Sequence, residues 1–150
     1  MSQSLVRNCM HITFSTKARQ PLLTDSIQAN LYAYLAGICK KLQCTPIKIG
    51  GHVDHVHVLC FLSKNITLSK LLEELKSHSS KWIKTKDEKL KDFYWQGGYG
   101  AFGVDVRDIE KLISYIENQK EHHKKMTFQE ELRKLLDRYN FTYDEHYIWD

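Results

Sequence analysis

No stretch of this 150-residue sequence is apolar for long enough to cross a bilayer, and no secretory signal pattern is present. The first absence speaks against a membrane partner, the second against export, so a cytoplasmic protein is the expectation. The four cysteines, Cys9, Cys39, Cys44 and Cys60, contain no Cys-x-x-Cys pair. A chain of this size can fold around a core without disulfide staples, so buried, reduced thiols are expected. Strong charge of one sign is missing too. The net charge of +4 permits a nucleic-acid partner without demanding one, because strongly basic domains carry more. No internal repeat or linker interrupts the chain. Residues 1–150 therefore read as one domain, with an aromatic tail over 141–150.

What the chain does have is a concentration of histidine. Gly50-Gly51-His52-Val53-Asp54-His55-Val56-His57-Val58-Leu59 holds three of its eight histidines within six residues. In a β-strand, residues i and i+2 share a face. Strand geometry would set His55 and His57 side by side, with Val56 and Val58 on the other face. Neutral imidazole is the commonest protein ligand for metals, and two on one face give half of a divalent-ion site. A bare His-x-His is a weak motif, and a half-buried strand with a polar histidine face fits it as well. Asp54 is either the acceptor that orients a ligand imidazole or a turn residue. His52, at an odd offset, is a candidate for the layer behind the ligands or for surface contact with DNA.

Periodicity supplies the surrounding elements. Leu5 to Ser15 reads as a strand. Thr24 or Asp25 caps a helix carrying Ile27, Leu31, Leu35, Ile38 and Leu42. Ile47 to Val53 and Val56 to Leu62 read as an antiparallel hairpin. Thr67 opens a second helix with Leu68, Leu71, Leu72, Leu75, Trp82 and Ile83. The aromatic, glycine-rich segment 93–104 reads as a strand, a tight turn and a short returning strand. Asp105 caps a third helix with Ile109, Leu112, Ile113 and Ile116. Thr127 and Glu130 form a capping box ahead of a fourth. The order β-α-β-β-α-β followed by two helices predicts an α+β, ferredoxin-like split β-α-β fold. Its antiparallel sheet carries helices on one face, plus C-terminal helices.

On the third helix, Tyr115 and Gln119 are i, i+4 neighbours at the edge of the apolar stripe. Tyr115 alone reads as an amphipathic packing residue. His122-His123-Lys124-Lys125 alone reads as a solvated basic helix end that suits the helix dipole. On the second helix, Lys70, Lys76, Lys81 and Lys84 and the serines 77, 79 and 80 are candidate phosphate contacts. Tyr99 is a candidate for base stacking.

Several short motifs occur in a fixed order. They are Asp54-His55-Val56-His57-Val58-Leu59, Lys76-Ser77-x-x-Ser80-Lys81-Trp82-Ile83, Trp95-Gln96-Gly97-Gly98-Tyr99-Gly100-Ala101-Phe102, Tyr115-Ile116-x-x-Gln119-x-x-His122-His123 and Phe128-Gln129-Glu130-Glu131. Together they resemble the single-tyrosine HUH transposases of the insertion-sequence 200/605 type, over almost the whole chain. The resemblance implies His55, His57 and Gln119 as ligands of a divalent metal and Tyr115 as the nucleophile. It implies cleavage and rejoining of single-stranded DNA with hairpin ends through a 5′-phosphotyrosine. It also implies a homodimer, with Tyr115 acting in its own subunit or the other. A neutral ligand set suits magnesium or manganese when DNA supplies further oxygens. One departure is visible: Phe102-Gly103-Val104-Asp105 stands where such sequences commonly read Phe-Ser-Val-Ser. The other readings of the chain are a non-catalytic or domesticated nucleic-acid-binding module and, from His11-Ile12-Thr13 and His78-Ser79-Ser80, a hydrolytic phosphoesterase.

Overall fold

Alternation along the two central strands decides what each face of the sheet does. The computed structural model describes residues 2–150. Its elements are β1 (Cys9–Ser15), α1 (Asp25–Lys41), β2 (Pro46–Gly51), β3 (His55–Phe61), α2 (Leu68–Lys84), β4 (Gly100–Gly103), α3 (Ile109–Glu117), α4 (Gln119–His122) and α5 (Phe128–Arg138). The sheet order is β2-β3-β1-β4, with every pair antiparallel. That is the ferredoxin-like arrangement.

Ile12 and Phe14 of β1 and Val56, Val58 and Cys60 of β3 project to one face. There they meet Leu31, Leu35 and Cys39 of α1 and Leu71, Leu72, Leu75 and Ile83 of α2. Each such buried aliphatic contributes about 1.5–3 kcal/mol through removal of apolar surface from water. The alternate positions, His11, Thr13, His55 and His57, are buried on the opposite face. Two apolar patches flank them. Leu59 and Cys9 pack with Ile109, Leu112, Ile113 and Ile116 of α3. Phe102 of β4 packs with Phe128, Leu132 and Leu136 of α5 and with Tyr143, Ile148 and Trp149 of the tail. The histidine row thus lies in the gap between α3 and α5. All four cysteines are buried and free. Among the described residues no helix is long and apolar enough to cross a membrane.

Three expectations are corrected. The first strand begins at Cys9: its partners end opposite Cys9 and Met10, and Leu5 to Asn8 form no ladder, the Asn8 carbonyl accepting a single bond from the Leu62 N–H at 2.7 Å. Segment 93–104 makes no hairpin of its own. Only Gly100–Gly103 joins the sheet, and Trp95 contributes a single bridge to Thr16. The Gln96 side chain takes over the edge, its Oε1 accepting from the Ser15 N–H at 2.8 Å. The indole of Trp95 points inward and donates to Ser79 Oγ at 2.9 Å. The tyrosine helix, expected to run on through Gln119, is interrupted at Asn118 (φ −95°, ψ 20°), and Gln119 starts α4. Half of the capping box forms, with Thr127 Oγ1 accepting from the Glu130 N–H, while Glu130 Oε1 accepts from the Thr127 hydroxyl at 3.3 Å.

Gly50 sets the height of α3 above the sheet. A Cβ there would lie 2.7 Å from Ile116 Cγ2 and 2.9 Å from the Ile116 carbonyl oxygen. The oxygen belongs to the helix backbone and has no rotamer to escape into. Gly50→Ala should therefore destabilise the fold by about 1–3 kcal/mol in chemical denaturation, the range for overpacking. A loss within about 0.5 kcal/mol, as at an unremarkable surface site, would mean that α3 is not seated on β2.

Candidate metal and tyrosine site

Three imidazole nitrogens converge on one carboxylate oxygen. Glu131 Oε1 lies 3.0 Å from His57 Nε2, 3.3 Å from His55 Nε2 and 3.4 Å from His123 Nε2. Its other oxygen, Oε2, accepts the hydroxyl hydrogen of Tyr115 and, at 3.0 Å, a hydrogen of the Gln119 amide. Gln119 Oε1 accepts from His55 Nε2 at 2.9 Å and from His123 Nε2 at 3.0 Å. Strand β3 supplies the histidine pair, α3 the tyrosine, α4 the amide and α5 the carboxylate. All of them belong to one chain. His55 and His57 are fully buried, and Glu131 and Gln119 nearly so.

A second layer holds the imidazoles. Asp54 Oδ1 accepts from His55 Nδ1 at 2.8 Å. His11, diagonal to His57 across the β1–β3 pair, stands with its Nε2 2.8 Å from His57 Nδ1. The remaining nitrogen of His11, Nδ1, is buried without a partner. Phe128 stacks on the His55 ring at 4.5 Å. His52 stacks on His123 at 5.3 Å and touches none of the converging atoms.

The electrostatics follow from burial and from Glu131. Burial pushes the His55 imidazole down, but Asp54 and Glu131 outweigh it and lift its pKa to about 9. His57 and His11 are held neutral, chiefly by burial, His11 at about 3. Burial would raise Glu131, yet the surrounding imidazoles hold it far below the ordinary carboxylate range. The Tyr115 phenol is pushed well above its ordinary value by burial and by the Glu131 charge. In this arrangement it is a protonated, hydrogen-bonded group.

His55, His57 and Glu131 offer three ligand atoms that all lie within 4.8 Å of one another. Two imidazoles and a carboxylate can hold a divalent cation once His55 Nε2 has lost its proton, and Gln119 Oε1 faces the same point. The carboxylate changes the reasoning about the ion. The set is not neutral, and a His₂-carboxylate triad also serves catalytic zinc.

Glu131 was not singled out by sequence reasoning. Its signal was a carboxylate inside the apolar stripe Phe128, Leu132, Leu135, Leu136, where a solvated glutamate does not belong. His11 and His123 were missed as well. His123 sat in what reads as an exposed basic helix end.

The predicted DNA contacts lie elsewhere. Helix α2 packs on the sheet face opposite the histidine row. Lys76 is corrected outright. Its Nζ donates to the carbonyls of Gln96, Gly97 and Gly98 at 2.9, 3.4 and 2.6 Å, and burial lowers its pKa to about 8. An ammonium saturated by carbonyls is not free to hold a phosphate. Ser79 is buried and bonded to the Leu75 carbonyl, which removes it from the surface as well. Lys70 pairs with Glu74 at 3.1 Å. Lys81 is exposed, Lys84 lies over the ring of Tyr94 at 4.7 Å, and Tyr99 is partly exposed beside Lys76.

Known proteins share the sequence pattern and the fold. The profile of a family described as "Transposase IS200 like" matches residues 5–119. A solved structure of a candidate transposase from Deinococcus radiodurans R1 superposes with a TM-score of 0.61 at 21% identity, covering 79% of this chain and 96% of that one. A REP-associated tyrosine transposase, solved bound to a REP hairpin, superposes with a TM-score of 0.58 at 18% identity, covering 82% and 74%. No curated protein sequence matches. The matched segment ends at Gln119, so Glu131 and all of α5 lie beyond it.

Two outcomes follow for metal binding. His55 is raised from an ordinary value of 6.5 to about 9, so below pH 9 a cation must displace a proton. Manganese affinity, measured by calorimetry, should rise about tenfold per pH unit from roughly pH 6.5 and level off near 9. The sign reverses for the metal-free fold: the ion-paired imidazolium stabilises it fully below about pH 6.5, and that contribution fades as pH rises through 9. His11→Ala should weaken manganese binding about 10–100-fold by releasing the His57 ring. Unchanged affinity would mean that His11 is packing only.

Proposed function

The chain belongs to the family of IS200-like transposases, and from that premise we propose that it cleaves and rejoins single-stranded DNA at insertion-element ends through a covalent tyrosine intermediate. The observation that carries this reading is the single carboxylate of Glu131, which touches the Tyr115 hydroxyl and both strand imidazoles at once. The nucleophile and the metal-ligand set are thereby held to one point within one chain.

Each residue has a role in the step. The Tyr115 oxygen bonds to phosphorus and the P–O3′ bond breaks. The 3′-oxygen departs with the bonding pair and takes a proton from water, leaving a 5′-phosphotyrosine. The phenolic proton passes to Glu131 Oε2, which already accepts the hydroxyl's hydrogen bond. Depressed Glu131 and raised Tyr115 keep that proton on the tyrosine until the new bond forms. A divalent cation on His55, His57 and Glu131, which we assign as magnesium or manganese, would neutralise phosphate charge as the transition state develops. Gln119 orients His55 and Glu131 through its amide and is a further oxygen ligand in reach. Rejoining is the reverse attack by a 3′-hydroxyl. The covalent ester conserves the bond, so no ATP is needed.

The substrate class is DNA carrying a hairpin, as supported by the REP-hairpin complex of the structural neighbour. Lys81 and Lys84, on the far face of the sheet, suit a duplex arm and not the scissile strand. Tyr115 acts in cis in this reading. A homodimer then brings two DNA ends together without having to complete either site.

The test is an adduct assay with single-stranded oligonucleotides from the DNA flanking the gene. Wild-type protein with manganese should give a protein–DNA adduct. Tyr115→Phe should give none while binding DNA within about twofold of wild type, because only the reacting oxygen is removed. An adduct that persists in Tyr115→Phe overturns the nucleophile. A wild type that binds but never nicks overturns the enzyme in favour of a non-catalytic binding module.

A further inference from the structure

The imidazoles are sealed from solvent, so the substrate must reach the site from the side. One cavity touches both reacting groups. It has a volume of 250 Å³ and opens between α3 and α5, and Tyr115 and Glu131 both line it. Its remaining wall divides by chemistry. Leu112, Leu135 and Tyr139 supply apolar surface, and Lys134 and Arg138, one turn apart on α5, supply cations. Both are exposed, and neither forms an ion pair among the described residues. Their neighbour Arg133 is held by Glu145 at 2.8 Å. His122 also lines the cavity, its ring 4.6 Å from that of Tyr115, and its buried Nε2 has no partner.

Apolar walls, two uncommitted cations and an unpartnered imidazole nitrogen next to a phosphodiester-attacking tyrosine describe a nucleotide seat. The volume is near the lower end for small-molecule sites, about 300 Å³, and suits one nucleotide unit but no duplex. In-line displacement then selects which nucleotide. The leaving 3′-oxygen must lie opposite the attacking phenol, away from the cavity at its flank. The strand that stays bonded to Tyr115 begins beside it.

We infer that the cavity between α3 and α5 seats the nucleotide on the 3′ side of the scissile phosphate, with Lys134 and Arg138 holding that nucleotide's own 3′-phosphate. This rests on the reading of Tyr115 as nucleophile. The site reads backbone and not sequence, since two point-like phosphate contacts carry no base information. Lys134 and Arg138 themselves lie on α5, beyond the segment matched by the family profile.

Two arms test it. In the first, oligo-dT binding is titrated against salt with no metal present. The double variant Lys134→Ala/Arg138→Ala should lower the slope of log affinity against log salt by about 1.4, two phosphate contacts at about 0.7 each. In the second, the scissile phosphate is mapped from the wild-type adduct, and a neutral methylphosphonate replaces one neighbouring phosphate at a time. Neutralising the next phosphate on the 3′ side should slow wild-type adduct formation about tenfold and leave the double variant no slower than before, as for two halves of one contact. Neutralising the 5′-side phosphate should slow both proteins by the same factor. A wild-type salt slope in the double variant overturns the seat, as does coupling to the 5′-side phosphate. A wild type that forms no adduct contradicts the catalytic reading instead, and the salt slope still decides whether Lys134 and Arg138 hold DNA.

Discussion

Glu131 is a carboxylate almost without contact with water, and a buried charge persists only where neighbours compensate it. Here the compensation is complete: three imidazoles face one oxygen, and the tyrosine hydroxyl and the Gln119 amide donate to the other. Removing one partner of such a set typically costs about 3–5 kcal/mol, because the remaining charge is stranded. The same set is what a divalent ion requires, two imidazole nitrogens and an oxygen converging on a dry point. The carboxylate therefore holds these groups together without an ion, and its oxygen is placed where it can serve as a ligand to one.

The fold serves that convergence. Antiparallel pairing fixes His11, Thr13, His55 and His57 on one face to within the pleat, so no loop has to find its place. Gly50 lets α3 approach the sheet closely enough for Tyr115 to reach the histidine row. Leu132 and Leu136 on Phe102 anchor α5 on the other side and aim Glu131 inward. The aromatic tail continues this packing, and the Gly98 N–H donates to the Asp150 carbonyl at 2.8 Å. The C-terminal helix α5 thus forms a wall of the site and of the cavity beside Tyr115.

Periodicity was enough to read the order of the elements along the chain and the pairing of His55 with His57, because a period of two leaves one choice of face for each residue. Tyr115 and Gln119 were legible as a pair only through helical spacing and resemblance. Their meeting with the histidines depends on the close approach of α3, which no local pattern encodes. Glu131 was hidden differently. Its contacts reach residues between eight and seventy-six positions away, and its helix lies beyond the segment that the family profile matches. Lys76 shows the opposite error: a lysine on a polar helix face reads as solvated, yet a distant loop of carbonyls encloses it. Segment 93–104 misled for a related reason, since the Gln96 side chain replaces the backbone partner that a strand would have supplied.

The central claim is that α5 completes the metal site of its own chain. Anomalous scattering from manganese in crystals of the full-length protein tests it most directly. The account predicts one manganese peak at bonding distance from His55 Nε2, His57 Nε2 and an oxygen of Glu131, with the Tyr115 hydroxyl of the same chain beside it. A peak held by the histidine pair with Glu131 turned away, or with the tyrosine supplied by a second chain, would contradict it.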